Sequence, residues 1–358
     1  MKVHVVIGAN YGDEGKGLVS GCLAREASLL NERVLTVFYN GTSQRAHTFE
    51  GEVHRCMAAG TSYGSDTFYY KQFVIDPISV FIMQAEPIID GDCRVILPCD
   101  VIQNRKLEKM RGQERHGSCG FGLFEAVKRS KNPEYDLRVF DLVGPLYLLR
   151  EKLNKIEEHY GMFQDEIYNL HNLLLARNYI LMKCNVKSFE ETAKDYDRII
   201  FEGGQGLMLD QKNHSCFPHL TPSCPGNDYI WKDISKLTFE PELFYVSRSY
   251  ETRHGAGPME TECGKEAINP EIIDTTNEPN EFQGSLRFGR LNLEKMYSRI
   301  LHDANSFYLN PVKNLVFTQL NYTNGKLETT KGQKDIYLPN DFSHIFVSDQ
   351  KDKIELLI

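Results

Sequence analysis

No CxxC pair occurs in the sequence, although nine of its 358 residues are cysteine, and no apolar run approaches the roughly 18 residues needed to cross a bilayer. Nine singly scattered cysteines read as reduced thiols of an intracellular protein rather than as a disulfide framework. The densest stretch, His214, Cys216, His219 and Cys224, matches no common zinc-ligand spacing. The opening residues MKVHVVIGAN lack the charged segment, long apolar core and small-residue cleavage site of a signal peptide, so the expected location is the cytoplasm. Excess positive charge is missing too: 41 basic against 49 acidic residues leave −8, which gives no general attraction to nucleic acid or to an anionic membrane. Small anionic substrates stay compatible with that balance, provided the cleft is locally basic.

Repeats, low-complexity tracts and long linkers are absent as well, which favours one compact domain over residues 1–358. Val3 to Ile7 is a short β-branched run and Val34 to Phe38 a second, with helix-forming composition from Leu18 to Leu30 between them. Strand, glycine-rich turn, helix, strand is a βαβ unit, and it predicts an α/β fold with a mostly parallel central sheet and surrounding helices. Arg198 to Phe201, Leu243 to Val246, Leu315 to Gln319 and Ile345 to Val347 read as further buried strands. Each ends in a polar or glycine-rich turn, where open α/β sheets bind ligands. Leu149, Leu153 and Ile156, then Leu170, Leu173 and Leu174, recur at helical spacing and predict a helical lobe at about residues 145–180.

Chemistry is concentrated in Gly12-Asp13-Glu14-Gly15-Lys16-Gly17, between the first strand and the first helix. Glycines let backbone approach an anion, the helix start offers free N–H groups, and Lys16 adds a mobile positive charge. The Walker pattern GxxxxGK[ST] is not present, which argues against an ordinary P-loop NTPase. Taken alone, GxxGKG would be an ordinary βα turn with surface charges. A carboxylate inside an anion-attracting loop is out of place, however, unless a metal or a proton transfer gives Asp13 a role.

Four motifs together carry a resemblance. Tyr11 to Gly17, YGDEGKG, is similar to the WGDEGKG signature of the adenylosuccinate synthetase family. Gly41 to Thr48, GTSQRAHT, resembles that family's GGHNAGHT, and Phe201 to Asp210, FEGGQGLMLD, resembles FEGAQGTLLD. Thr252 to Pro258 with Thr261 and Glu262 resembles TRVGAGPFPTE. The motifs come in the family's order and span most of the chain. The resemblance implies an adenylosuccinate synthetase-like fold, related to P-loop NTPases, and a two-step C–N ligation. A base takes the N1 proton of a 6-oxopurine and O6 attacks the γ-phosphate of a nucleoside triphosphate; the aspartate amine then displaces phosphate from C6.

By that resemblance Asp13 is the base and, with the Ala46 carbonyl, holds Mg²⁺, while His47 is the general acid beside the leaving diphosphate and Lys16 a catalytic cation. Gly12, Glu14, Gly15, Lys16, Gly17, Thr48, Gln319, Asn321 and Ser348 would surround the nucleoside triphosphate. Ser118, Cys119, Gln205, Leu209, Thr221, His254 and Gly255 would hold the substrate nucleotide. Arg287, with Ser285, would bind aspartate, a planar guanidinium fork suiting a dicarboxylate. A homodimer is implied, in which a basic residue of one subunit reaches the other's site; Lys128, Arg129 and Arg138 are the candidates.

Departures from the family narrow the substrate. The family's TKLD uses its aspartate as a double acceptor for guanine, whereas this chain reads Thr318-Gln-Leu-Asn321. An amide offers one donor and one acceptor, which fits adenine and points to ATP or dATP. The arginine-rich GRRRRTGW becomes Gly284-Ser-Leu-Arg-Phe-Gly-Arg290, which loses the arginine on the ribose side, as a deoxyribonucleotide site would. With the short chain, these features resemble the phage branch, which converts dGMP into N6-succino-2-amino-2′-deoxyadenylate for 2-aminoadenine DNA; its setting would be the host cytoplasm. That branch often carries serine where this chain keeps Asp13. The alternatives are an ordinary adenylosuccinate synthetase using IMP and GTP, and a non-catalytic nucleotide-binding regulator.

Overall fold

β-Branched and aromatic runs bounded by glycine or polar turns form the strands of one ten-stranded sheet. In chain order these are β1 (Lys2–Gly8), β2 (Val34–Phe38), β3 (Asp66–Tyr69), β4 (Ile88–Ile89), β5 (Asn185–Val186), β6 (Arg198–Gly206), β7 (Glu242–Arg248), β8 (Val312–Thr318), β9 (His344–Val347) and β10 (Glu355–Leu356). Their spatial order is β10-β9-β8-β7-β1-β6-β2-β3-β4-β5. Neighbours run parallel except at the β9–β10 edge. The computed structural model describes residues 1–43, 45–161, 168–274, 281–306 and 310–358, with backbone alone for 168 and 169.

Parallel strands covered on both faces should be apolar throughout, and they are: Val5, Val6 and Ile7 are inaccessible, as are Leu35, Val37, Ile199 and Ile200. Every strand expected from the sequence is present, and the βαβ unit is real but not adjacent. β2 does not pair with β1, because β6 lies between them. β1 therefore connects towards one side of the sheet while β7 flanks it on the other, which opens a crevice at its carboxyl end.

Helices α1 (Lys16–Leu29), α2 (Pro98–Arg111), α3 (Leu123–Arg129), α4 (Leu146–Tyr160), α5 (Tyr168–Lys183) and α6 (Leu293–Ala304) are the longer or site-bearing ones. α4 and α5 cover most of residues 145–180, where the spacing of apolar residues is helical. Leu149, Leu153, Ile156 and Leu173 are buried in a cluster with Phe38, Tyr69 and Ile89 of the sheet, while Leu174 is only half-buried. Among the described residues no helix is long and apolar enough to cross a membrane.

One face of α1 positions the site. Gly17 and Gly21, four residues apart, lie one above the other on the helix surface. A Cβ on Gly17 would come within 2.6 Å of the His47 Cβ, and one on Gly21 within 2.5 Å of the Phe49 ring. The short strand His47–Phe49 thus lies directly against helix backbone. Gly21→Ala gives a test: alanine normally improves a helix interior by about 1 kcal/mol, but overpacking costs about 1–3 kcal/mol. Phe49 is 1% exposed and cannot swing aside. Gly21→Ala should therefore lower stability, read as a fall in the urea midpoint at unchanged m-value.

Candidate active site

The glycine-rich loop leaves β1 at its carboxyl end and turns through positive φ at Gly12, Asp13 and Gly15 before α1 begins at Lys16. This path aims the free N–H groups at the start of α1 into the crevice. Glu14 is buried, accepts from the Asn10 amide at 2.5 Å and lies 3.6 Å from the buried Lys16 ammonium. Burial pushes the Glu14 carboxyl up, with Lys16 opposing. Asp13 faces outward, its Oδ2 3.6 Å from His254 Nε2.

Two arginines that the sequence reading did not single out hold this loop. Arg248, at the end of β7, donates from Nε to the Asp13 carbonyl at 2.5 Å and pairs with Asp274 at 2.9 Å. Arg299 of α6 donates to the Ala9 carbonyl at 3.0 Å and to Asn10 Oδ1 at 2.8 Å. Asp13 is thereby fixed through its own backbone, not its carboxylate.

Across the helix start, His47 is tied to a buried ion pair. Glu202 of β6 lies between Arg45 and His47, with its Oε1 2.5 Å from Arg45 Nη2 and 2.5 Å from His47 Nδ1. Its other oxygen accepts from Ser20 at 2.6 Å, and the Arg45 guanidinium stacks 3.6 Å over the Phe38 ring. Burial alone would raise the Glu202 carboxyl, but Arg45 and then His47 overcome it and hold the group down to about 2. Arg45 Nη2 lies 2.8 Å from the same His47 Nδ1, so Nδ1 is engaged within this cluster by a group that donates and a group that accepts, and Nε2 is left for a ligand. Burial, then Arg45, lowers the His47 pKa to about 4. Glu202 sits inside the FEGGQG motif, so its signal was legible; position 45 is alanine in the family's GGHNAGHT, and there the signal was the departure itself.

The remaining predicted residues fall into three groups. Gln319, Asn321 and Ser348 are brought together where β8 and β9 end: Leu320 N donates to the Ser348 carbonyl at 3.2 Å, and Asn321 is exposed on the turn. Thr318 joins this group to the glycine loop by donating to the Glu14 carbonyl at 2.8 Å. Gln319 leaves the strand, with a left-handed φ of 61°. Thr48 lies half-buried on the strand with His47.

A second group forms beside β6. Gln205 Oε1 and Thr221 Oγ1 are buried and have no hydrogen-bond partner among the described residues, and the same holds for Thr42 Oγ1 and Asn40 Nδ2. Thr221 N is held by the Leu209 carbonyl at 3.0 Å. Ser118 is positioned by Asn104 of α2, whose Oδ1 accepts its hydroxyl at 2.8 Å; sequence alone gave no hint of Asn104. The Ser118–Cys119 loop reaches the 254–258 segment because Gly117 has no side chain: a Cβ there would meet Ala256 N at 2.6 Å.

In the third group, Ser285 is exposed and Arg287 is fully engaged within the chain, with Glu262 and with the Gly255 and Gly257 carbonyls. The cysteine–histidine stretch at 214–224 gathers no metal site, since no cluster of three ligating groups exists among the described residues. All nine cysteines are free of disulfides.

The chain is similar to known proteins. A family model for adenylosuccinate synthetase matches residues 5–287. The chain belongs to the adenylosuccinate synthetase family. The adenylosuccinate synthetase of Trichodesmium erythraeum is 27% identical over 298 residues, covering 75% of this chain and 66% of that protein. That of Synechococcus sp. (strain CC9311) is 28% identical over 304 residues, covering 76% and 67%. The chain thus spans about two thirds of the length of these relatives. The fold matches the fully ligated adenylosuccinate synthetase of Plasmodium falciparum with a TM-score of 0.69 at 17% identity, over 99% of this chain and 87% of that one. It also matches the succinoaminodeoxyadenylate synthetase of cyanophage S-2L, bound to dGMP and dATP, with a TM-score of 0.60 at 16% identity, over 99% and 95%. The adenylosuccinate synthetase family is one of C–N ligases, and both neighbours share its mostly parallel sheet.

The Arg45–Glu202 pair is testable without any substrate. Removing one partner of a buried pair typically costs about 3–5 kcal/mol. Glu202→Gln should lose stability on that scale, whereas the double variant Arg45→Met/Glu202→Gln should recover most of it. Chemical denaturation of the four proteins in the cycle decides.

Proposed function

We propose that the chain joins L-aspartate to C6 of dGMP, using ATP or dATP, through a 6-phosphoryl intermediate, to give N6-succino-2-amino-2′-deoxyadenylate, ADP or dADP and phosphate. The observation that carries the donor choice is Asn321, an amide on the turn that Thr318 ties to the phosphate loop. It supplies one donor and one acceptor, the complement of the adenine edge. Ser285 lies two residues inside the end of the family match at residue 287, and Asn321 lies beyond it. The cyanophage neighbour, bound to dGMP and dATP, supports the same choice of substrates, and this chain covers 95% of its length.

Asp13 is the proposed base. A carboxylate accepts from two donors at once, so it suits N1–H together with the 2-amino group of guanine, and its retention is compatible with dGMP. The same residue favours the second reading, an ordinary adenylosuccinate synthetase acting on IMP with GTP. His47, held by Glu202 through Nδ1, presents Nε2 towards charge developing on the leaving diphosphate, and Lys16 adds its ammonium. Gln205 and Thr221, with polar atoms unpartnered among the described residues, would meet the substrate nucleotide.

A single outward carboxylate and a backbone carbonyl fit Mg²⁺, which takes few protein oxygens and several from phosphate. Asp13 and the Ala46 carbonyl would hold it, on segments that Gly17 brings together. Bound there, the ion would neutralise phosphate charge. The proposed assembly is a homodimer, and Lys128 is the residue left to reach across it. Arg129 is buried against Asp100 at 2.9 Å, and Arg138 is held by Asp136 at 2.7 Å and by the Asp92 carbonyl, whereas Lys128 is exposed.

Phosphate release should be measured with aspartate, Mg²⁺ and each pairing of IMP, GMP or dGMP with ATP, dATP or GTP. dGMP with an adenine nucleotide should give the highest kcat/KM; a best pair of IMP and GTP would establish the ordinary enzyme instead. Asn321→Asp should shift the ATP-to-GTP preference towards GTP by roughly tenfold, the value of a base-reading pair of about 1–3 kcal/mol. In Asp13→Asn, nucleotide binding should persist while turnover falls by roughly 10² or more, the scale for a positioned base; turnover near wild type would remove Asp13 from that role.

A further inference from the structure

Arg287 lies on the central strand, Arg287–Gly289, of a three-stranded sheet whose outer strands are Glu251–Arg253 and Glu262–Cys263. Glu262 pairs with Gly289, two residues along from Arg287, which sets the two side chains diagonally on the sheet. The Arg287 guanidinium spends its donors in two directions. Nε and Nη2 grip the two Glu262 carboxylate oxygens as a fork, with Nε to Oε1 at 2.7 Å. Nη1 donates to the Gly255 carbonyl at 3.0 Å and the Gly257 carbonyl at 2.9 Å. Those carbonyls belong to the segment that begins at His254, whose ring faces Asp13.

The edge of the guanidinium that suits a carboxylate already holds one. Aspartate entering this fork therefore exchanges with Glu262 rather than adding to a free cation. The other half of the guanidinium keeps its carbonyl anchors during that exchange, so the 254–258 segment stays in place. Glu262 is well placed to move, with a side chain 44% exposed on a two-residue strand. The fork is bidentate, but the Glu262 end of it is exposed to water and salt, so an incoming dicarboxylate can compete for the same guanidinium edge with equal geometry.

We propose that Glu262 is an internal occupant of the aspartate fork, a carboxylate that the substrate dicarboxylate displaces and that thereby sets the aspartate affinity. This rests on the ligase reading for aspartate as the natural ligand, but the exchange itself belongs to Arg287 and any dicarboxylate. It is tested on the full chain with Glu262→Gln, which keeps size and removes charge, and with Glu262→Ala. The aspartate KM should fall by roughly two- to fivefold, the range that corresponds to a partly exposed ion pair, with a larger effect on KM than on kcat. Succinate, a dicarboxylate that lacks the attacking amine, should bind both variants more tightly than wild type by calorimetry, with and without dGMP. Succinate binding reads the fork even if no purine nucleotide is turned over, so failure of the ligase reading and failure of the exchange are separable. An aspartate KM and a succinate affinity that stay unchanged or weaken would overturn the proposal. A large drop in melting temperature in both variants would do the same by making Glu262 a structural clamp, as would absent succinate binding, since an opened fork should take a dicarboxylate.

Discussion

Gly17 and Gly21 leave one flank of α1 without side chains, and the His47–Phe49 strand lies on that bare backbone. Most of the site's geometry follows from this contact. The start of the helix and the histidine beside it are fixed at a separation set by backbone packing, not by flexible side chains. Phe49 closes the contact from below and Arg45 from the side, where its guanidinium sits on Phe38 and its charge meets Glu202. A methyl group at either glycine would push the strand outward and carry His47 with it.

Charge in the cleft is arranged in pairs before any ligand arrives. Lys16 faces Glu14, Arg45 faces Glu202, Arg248 faces Asp274 and Arg287 faces Glu262. This reconciles an acidic chain with anionic ligands: the cations are present, but each is partly neutralised at rest. The pairs differ in burial, and burial decides their use. Glu202 is inaccessible and its pair is permanent architecture, whereas Glu262 is exposed and its pair is open to exchange.

The sheet and the candidate site were legible in the sequence to different degrees. Strands such as Val3 to Ile7 could be read because a buried parallel strand must be apolar throughout, and α1 because helix-forming composition follows the glycine-rich turn. The insertion of β6 between β1 and β2 could not be read, since local pattern carries no information on which strand a parallel partner is. Motif residues such as Asp13, His47 and Gln205 could be named, but not the groups that hold them. Asn104 and Arg299 support the site from helices with no motif around them, and Arg248 acts on a backbone carbonyl that any residue would supply. Arg287 was recognisable as a carboxylate fork; that it already grips one depended on a strand register that sequence does not display.

The place of β6 also governs how the chain can assemble. β1 and β2 are complete by residue 38, yet the strand that joins them spans Arg198–Gly206, so the middle of the sheet stays open while about 160 intervening residues are made. Pairings at such sequence separation form slowly, and the exposed strand edges on either side are liable to wrong partners meanwhile. Glu202 arrives on that same strand, so Arg45 has no counter-charge until β6 docks. Closure of the sheet and neutralisation of the buried guanidinium are one event, and an N-terminal fragment that stops before Arg198 can achieve neither.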